Sequence, residues 1–179
     1  MSNPFHEHSK ECRVYLPPGY DANHSQGRFP VIYLLHGVRD TQHDWHNPEG
    51  RKGNLATFLA ASPKIPPMIL VMANTLPASV PRDRDGFPQF DPFREYFWSI
   101  LQDVEAIYVG GKPGYRGIAG ISMGGRLALQ LAFSDLHSFQ LLAVWSSAIR
   151  GLDLFEFPIL RSAADVNAQL FGMRIDRSF

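Results

Sequence analysis

Gly120-Ile121-Ser122-Met123-Gly124 sets a serine between two glycines, each two residues away, and Gly125 follows directly. A serine hydroxyl is a poor nucleophile until a base takes its proton, and attack on a carbonyl succeeds only where N–H donors await the oxyanion. The G-x-S-x-G spacing suits that chemistry when the serine occupies a sharp turn from strand to helix, a nucleophile elbow. Such a turn brings backbone close to the serine, and side chains in place of Gly120, Gly124 or Gly125 would collide with it. The flanking residues predict the turn. Gly117 to Ile121 is a β-type run, and Met123, Leu127 and Leu131 mark a helical stripe running to about Phe133. Ser122 is therefore the candidate nucleophile. The rival reading is a glycine-rich turn with a helix-capping serine.

A second loop offers the complementary chemistry. His36-Gly37-Val38 follows the apolar run Val31 to Leu35. At an elbow, one oxyanion donor is the N–H of the residue after the nucleophile, here Met123, and the other comes from the loop after an earlier strand, with Val38 the best candidate. His36, at the end of a buried strand, reads as a hydrogen-bonded structural imidazole rather than a base. His6-x-His8 and His43-x-x-His46 have spacings a metal could use, but no cysteine or acidic cluster accompanies them, so no metal and no cofactor is expected. Cys12 reads as a buried strand residue. Trp45 and Trp98 read as core anchors, with Trp45 also a candidate substrate-loop residue because its loop borders the presumed oxyanion hole.

These residues need elements to hold them. Short apolar runs alternate with helical patterns, the mark of an α/β chain with a mostly parallel sheet and flanking helices. Strands are predicted at Arg13–Leu16, Val31–Leu35, Ile69–Ala73, Gly117–Ile121 and Leu141–Trp145, the second and third buried on both faces. Helices are predicted at Leu55–Ala61, from an Asp91 N-cap with Pro92 at the first helical position through Phe93, Phe97, Ile100, Val104 and Tyr108, from Met123, and at Ser162–Phe171. His36 to Gly53 and Thr75 to Phe90 are long, polar loops of the kind that line a site. The run Arg82-Asp83-Arg84-Asp85 inside the second reads as a solvated turn. Thr75 to Phe90 and His36 to Trp45 are expected together at the carboxyl ends of the strands, bordering Ser122.

Composition narrows the class. The chain has 179 residues, 17 Lys+Arg against 17 Asp+Glu, and 45% hydrophobic residues. That balance argues against a nucleic-acid partner and for a real core in a single domain spanning 1–179. The one cysteine gives no disulfide framework. No apolar run approaches the roughly 18 residues of a membrane span, and Met1 to Glu11 lacks the apolar core of a secretory signal, so a cytoplasmic place is the default expectation.

Five ordered motifs then carry a resemblance. Val14-Tyr15-Leu16-Pro17-Pro18-Gly19-Tyr20-Asp21, Pro30 to Gly37, Asp44-Trp45, Ile65-Pro66-Pro67-Met68-Ile69 and Gly120 to Gly125 resemble the putative esterase family of α/β hydrolases from about residue 9 to about 150. That family includes esterase D (S-formylglutathione hydrolase), feruloyl and acetylxylan esterases, enterochelin esterases and mycolyltransferases. The resemblance implies an α/β-hydrolase fold and a serine carboxylic-ester hydrolase working through an acyl-enzyme at Ser122. An acylated sugar, a feruloyl ester or a similar small ester is the expected partner.

One departure stands out. Elbow triads of this fold run Ser, then Asp or Glu, then His along the chain. After Ser122 the only histidine is His137, in the turn after the nucleophile's helix, and Asp153, Asp165 and Asp176 end no clear β-run. The chain reads as C-terminally incomplete, lacking the family's last two strands. It is expected to be nearly inactive alone and prone to self-association through an open sheet edge. The alternative is a non-catalytic binding protein of the same fold.

Overall fold

The computed structural model describes residues 5–8, 11–23, 27–47, 49, 55, 58, 62–111 and 113–148, and the fold is that of the unit Met1–Ser147. Its elements are β1 (Phe5–His8), β2 (Cys12–Tyr15), β3 (Val31–Leu35), β4 (Ile69–Ala73), α1 (Phe90–Val104) with a π-helical turn at Glu105–Val109, β5 (Arg116–Ile121), α2 (Met123–Ser134) and β6 (Leu141–Trp145). The six strands form one sheet in the order β1-β2-β4-β3-β5-β6. Strands β4, β3, β5 and β6 run parallel, while β2 lies antiparallel on β4 and β1 antiparallel on β2.

The apolar runs explain the centre. All five residues of β3 and all five of β4 are buried, because alternate side chains enter two cores. Val31, Tyr33, Leu35, Ile69 and Val71 face a core with Phe93, Phe97, Ile100 and Val104 of α1 and Met123, Leu127 and Leu131 of α2. Ile32, Leu34, Leu70 and Met72 face the other, with Tyr15, Trp45 and Ala119. Two-faced burial is what a parallel sheet with helical cover requires.

Several boundaries differ from the sequence reading. The first expected strand sits one residue earlier, at Cys12–Tyr15, and the polar β1 pairs beside it. Helix α1 begins at Phe90 with Gln89 as N-cap; Asp91 lies inside the first turn, where it pairs with Arg94 at 3.0 Å. Pro92 is tolerated there because first-turn N–H groups have no helical acceptor to lose. At the other end the stripe does reach Tyr108, but through the π-helical turn, which Gly110 closes at φ 74°. Leu55 and Phe58 are helical as expected; the rest of 55–61, and Ser162–Phe171, lie outside the described residues.

Buried Glu105 is fixed in that π turn by Arg116 at the start of β5. The guanidinium donates to both carboxylate oxygens, at 2.6 and 2.5 Å, and the Tyr33 hydroxyl donates to the same carboxylate at 3.0 Å. Burial first, and then the Glu105 charge, push the Tyr33 phenol well above its usual range. Burial works against the Arg116 cation, but the Glu105 contact more than offsets it and the net direction is up.

Candidate active site

Register brings the loop ends together. Leu35 stands opposite Ala73 on one side and Gly120 on the other, and Ile121 stands opposite Trp145. The chain therefore leaves four adjacent parallel strands within a residue or so of His36, Asn74, Ser122 and Ser146. Neighbouring strands lie about 4.8 Å apart, so these positions form one edge.

Ser122 makes the turn between β5 and α2 with φ 54° and ψ −119°, a conformation L residues rarely hold without support. The support is local. Its N–H donates to the Trp145 carbonyl at 2.9 Å, and its carbonyl accepts the Arg126 N–H at 3.1 Å. The glycines are there for space. A methyl on Gly120 would stand 2.2 Å from the Gly124 carbonyl oxygen, and one on Gly124 would stand 2.2 Å from that of Leu35. One on Gly125 would come within 3.0 Å of the Ser147 hydroxyl. The expected strand, sharp turn and helix are all present, and Ser122 is half-buried.

The loop expected to supply an oxyanion donor lies alongside. A methyl on Gly37 would be 3.3 Å from the Ser122 Cβ and 3.5 Å from the Ile121 carbonyl oxygen, so the backbone entering Val38 runs beside the serine. Val38 itself is exposed. Met123 opens α2, so its N–H belongs to the first turn, where no helical carbonyl reaches and the helix dipole favours negative charge. An acid that sequence spacing does not single out is also here. The Asp40 carboxylate lies 3.3 Å from that same Gly37 methyl position, brought there by a turn in which the Asp40 N–H donates to the Gly37 carbonyl at 3.3 Å.

His36 is fully buried and engaged at both nitrogens. Nδ1 lies 2.9 Å from the Gly37 carbonyl and Nε2 accepts the Thr75 N–H at 3.0 Å, which together assign the proton to Nδ1. It is the structural imidazole the sequence suggests, tying the loop after β3 to the loop after β4. In that second loop Arg82, Arg84 and Asp85 are exposed, as a solvated turn requires, but Asp83 is half-buried. Its carboxylate accepts the N–H groups of Asp85 and Phe87, each at 2.9 Å, and lies 4.0 Å from Arg126 on α2. Both expected loops thus border the serine's turn or its helix.

The remaining candidates lie elsewhere. His43 and His46 both receive the Arg13 guanidinium, the first at 3.1 Å. Among the described residues no three His, Cys, Asp or Glu side chains gather as a metal would need. His137 is exposed beyond the C-terminal end of α2, a 12-residue helix about 18 Å long. Its N–H donates to Asp135; the Ser138 hydroxyl and then that N–H hold the Asp135 carboxyl below its usual range. Trp45 is 7% exposed and packs in the second core, the placement of an anchor and not of a substrate platform. Trp98 stacks on Phe139 with centroids 5.9 Å apart, and Cys12 is buried and in no disulfide. A cavity of about 510 Å³ among Pro30, Ile32, Met68, Tyr115 and Leu141 opens at the amino ends of the strands, the edge opposite Ser122.

With fold and elbow in place, comparison with known proteins gives the class. The Esterase family, described as Putative esterase, matches residues 5–155, and the chain belongs to it. It is 31% identical over 118 residues, 64% of its length, to an endo-1,4-beta-xylanase/feruloyl esterase of Xylanibacter ruminicola, of which it spans 16%. Among solved structures it is similar to a ferulic acid esterase of Anaeromyces mucronatus, determined in complex with ferulic acid, with TM-score 0.54 and 19% identity over 80% of this chain and 56% of that one. An S-formylglutathione hydrolase of Agrobacterium tumefaciens gives TM-score 0.52 and 20% identity, over 80% of this chain and 56% of that one. The fold is that of α/β-hydrolase esterases, and the family is one of carboxylic-ester hydrolases. The chain spans little more than half the length of these structures.

Proposed function

We propose that this chain carries the nucleophile half of a serine carboxylic-ester hydrolase in one α/β-hydrolase domain. Ser122 attacks the ester carbonyl, the Val38 and Met123 N–H groups receive the oxyanion, and an acyl-enzyme forms on the Ser122 hydroxyl as the alcohol leaves. The observation that carries the reading is the left-handed Ser122 turn, packed by Gly120 and Gly124, where a methyl would meet backbone at 2.2 Å, with the Gly37–Val38 backbone against it. An elbow held in that conformation is a cost a capping serine would not incur.

In this reading the base is a histidine other than four of those described: His36 is saturated by Gly37 and Thr75, His43 and His46 are held by Arg13, and His137 sits at the far end of α2. A feruloyl or similar aromatic acyl ester of a sugar is the substrate class favoured by the xylanase/feruloyl esterase and ferulic acid esterase relatives. Self-association through β6 belongs to the same reading. Among the described residues β6 pairs on one side only, with β5, and its Leu141 and Trp145 are 41% and 53% exposed.

The test is a panel of feruloyl, acetyl-sugar and thioester substrates, with free imidazole supplied as the base and Ser122→Ala run in parallel. Imidazole-dependent turnover that exceeds the Ser122→Ala background, greatest for feruloyl esters, is the expected result. No excess over Ser122→Ala on any ester would favour a non-catalytic binding protein of this fold instead.

A further inference from the structure

Arg126 stands one helical turn beyond Ser122, and its side chain does not run out into solvent: only 15% of it is exposed. It crosses to the connection between β4 and α1. There its guanidinium lies 5.6 Å from the centre of the Phe87 ring and 4.0 Å from an Asp83 carboxylate oxygen.

The segment it meets is folded on itself. Arg82 and Pro88 bridge across it. The Asp83 N–H donates to the Phe87 carbonyl at 2.7 Å, the Gly86 N–H to the Asp83 carbonyl at 3.0 Å, and the Gln89 N–H to the Pro81 carbonyl at 2.9 Å. The Asp83 carboxylate takes the Asp85 and Phe87 N–H groups from inside the turn. These bonds fix the shape of the 81–89 hairpin; its seat comes from contacts outside it, the packing of Phe87 on the first core among them. Arg126 adds to that seat: the planar cation stacks on one hairpin side chain and faces the charge of another, a pair of contacts that an ammonium cannot reproduce.

We propose that Arg126 is a positioning residue that holds the 81–89 hairpin against the first turn of the helix following Ser122, where the hairpin forms one wall of the acyl site. The wall rests on the reading of Ser122 as nucleophile; the attachment does not.

The test is amide hydrogen exchange on the chain with Arg126→Ala, Arg126→Lys, Phe87→Leu and the Phe87→Leu/Arg126→Ala pair. Loss of a cation–π contact and a mostly buried ion pair predicts about tenfold faster exchange at Asp83, Gly86, Phe87 and Gln89 in Arg126→Ala, with β3 and β5 unchanged. Arg126→Lys recovers part of that protection, and the double variant exchanges no faster than Arg126→Ala because the two changes remove one contact. Unchanged protection of 81–89 in Arg126→Ala overturns the attachment. Equal loss in β3 and β5 also overturns it, by making Arg126 a general support of the fold. Ferulate binding, followed by NMR, reads the wall. About tenfold weaker binding in Arg126→Ala, partly restored by Lys, supports it, and unchanged binding overturns it. Absence of ferulate binding to the parent chain contradicts the aromatic-acyl reading, while the exchange result still decides the attachment.

Discussion

Ser122 holds φ 54° at the cost of local strain, and that strain is measurable. Relief of about 1–3 kcal/mol of backbone strain outweighs the roughly 0.5–1 kcal/mol of extra chain entropy that a glycine brings to the unfolded state. Ser122→Gly should therefore raise the unfolding free energy by about 1 kcal/mol in urea titration, whereas Ser122→Ala, which keeps the strain, should change it by less than about 0.5 kcal/mol. Gly124→Ala should do the reverse. Its methyl would meet the Leu35 and His36 carbonyl oxygens at 2.2 and 2.5 Å, backbone that cannot swing aside, so a loss above about 3 kcal/mol or failure to fold is expected. At this scale the glycines and the serine were legible in sequence because a sharp turn imposes residue type directly. Asp40 was not, since its approach to Gly37 depends on a turn that no spacing announces. Trp45 illustrates a different limit: sequence places it in the right loop, but only packing decides that the ring turns into the core.

Between elements, the tie of Glu105 in the π turn to Arg116 on β5 and Tyr33 on β3 carries its own pH signature. Burial and the Glu105 charge keep the native Tyr33 phenol protonated above the pH of about 10 at which an unfolded tyrosine ionises. A group whose folded pKa is raised contributes stability that is complete below the unfolded pKa and is lost as pH climbs towards the folded one. Stability should thus fall above about pH 10, and Tyr33→Phe should flatten part of that fall, the rest belonging to Tyr15, Tyr20, Tyr96 and Tyr108, whose phenols are shifted the same way. Urea midpoints taken at pH 7, 9, 10 and 11 check it. Glu105→Gln, which leaves the buried Arg116 cation without its counter-charge, should cost about 3–5 kcal/mol at pH 7. The parallel strands and the two long helices were readable from period and run length. The Glu105–Arg116 pair was not, because the partners lie 11 residues apart across a connection, beyond any helical or strand repeat. The start of α1 was misplaced because Asp-Pro has the composition of an N-cap, while helix geometry admits proline throughout the first turn.

At the scale of the whole molecule, among the described residues β6 pairs only with β5 and exposes two large apolar side chains, a template for pairing with a second chain. Sedimentation velocity should show concentration-dependent association, and Leu141→Lys with Trp145→Lys should shift it towards monomer; a chain monomeric at all concentrations before substitution would contradict that. The parallel core, the Ser122 turn and the Gly37–Val38 loop all lie within the described residues, and the proposed reading finds no base for Ser122 in His36, His43, His46 or His137. The most direct measurement is hydrolysis of an activated aryl ester by the purified chain and by Ser122→Ala, without imidazole, beside a family member that carries a full triad. Triad members act as a unit, so with the base missing, turnover should fall about 10⁶-fold below that enzyme, and removal of Ser122 should change it by less than about tenfold. Turnover within tenfold of the complete enzyme, abolished by Ser122→Ala, would place a working base inside these 179 residues and contradict the account.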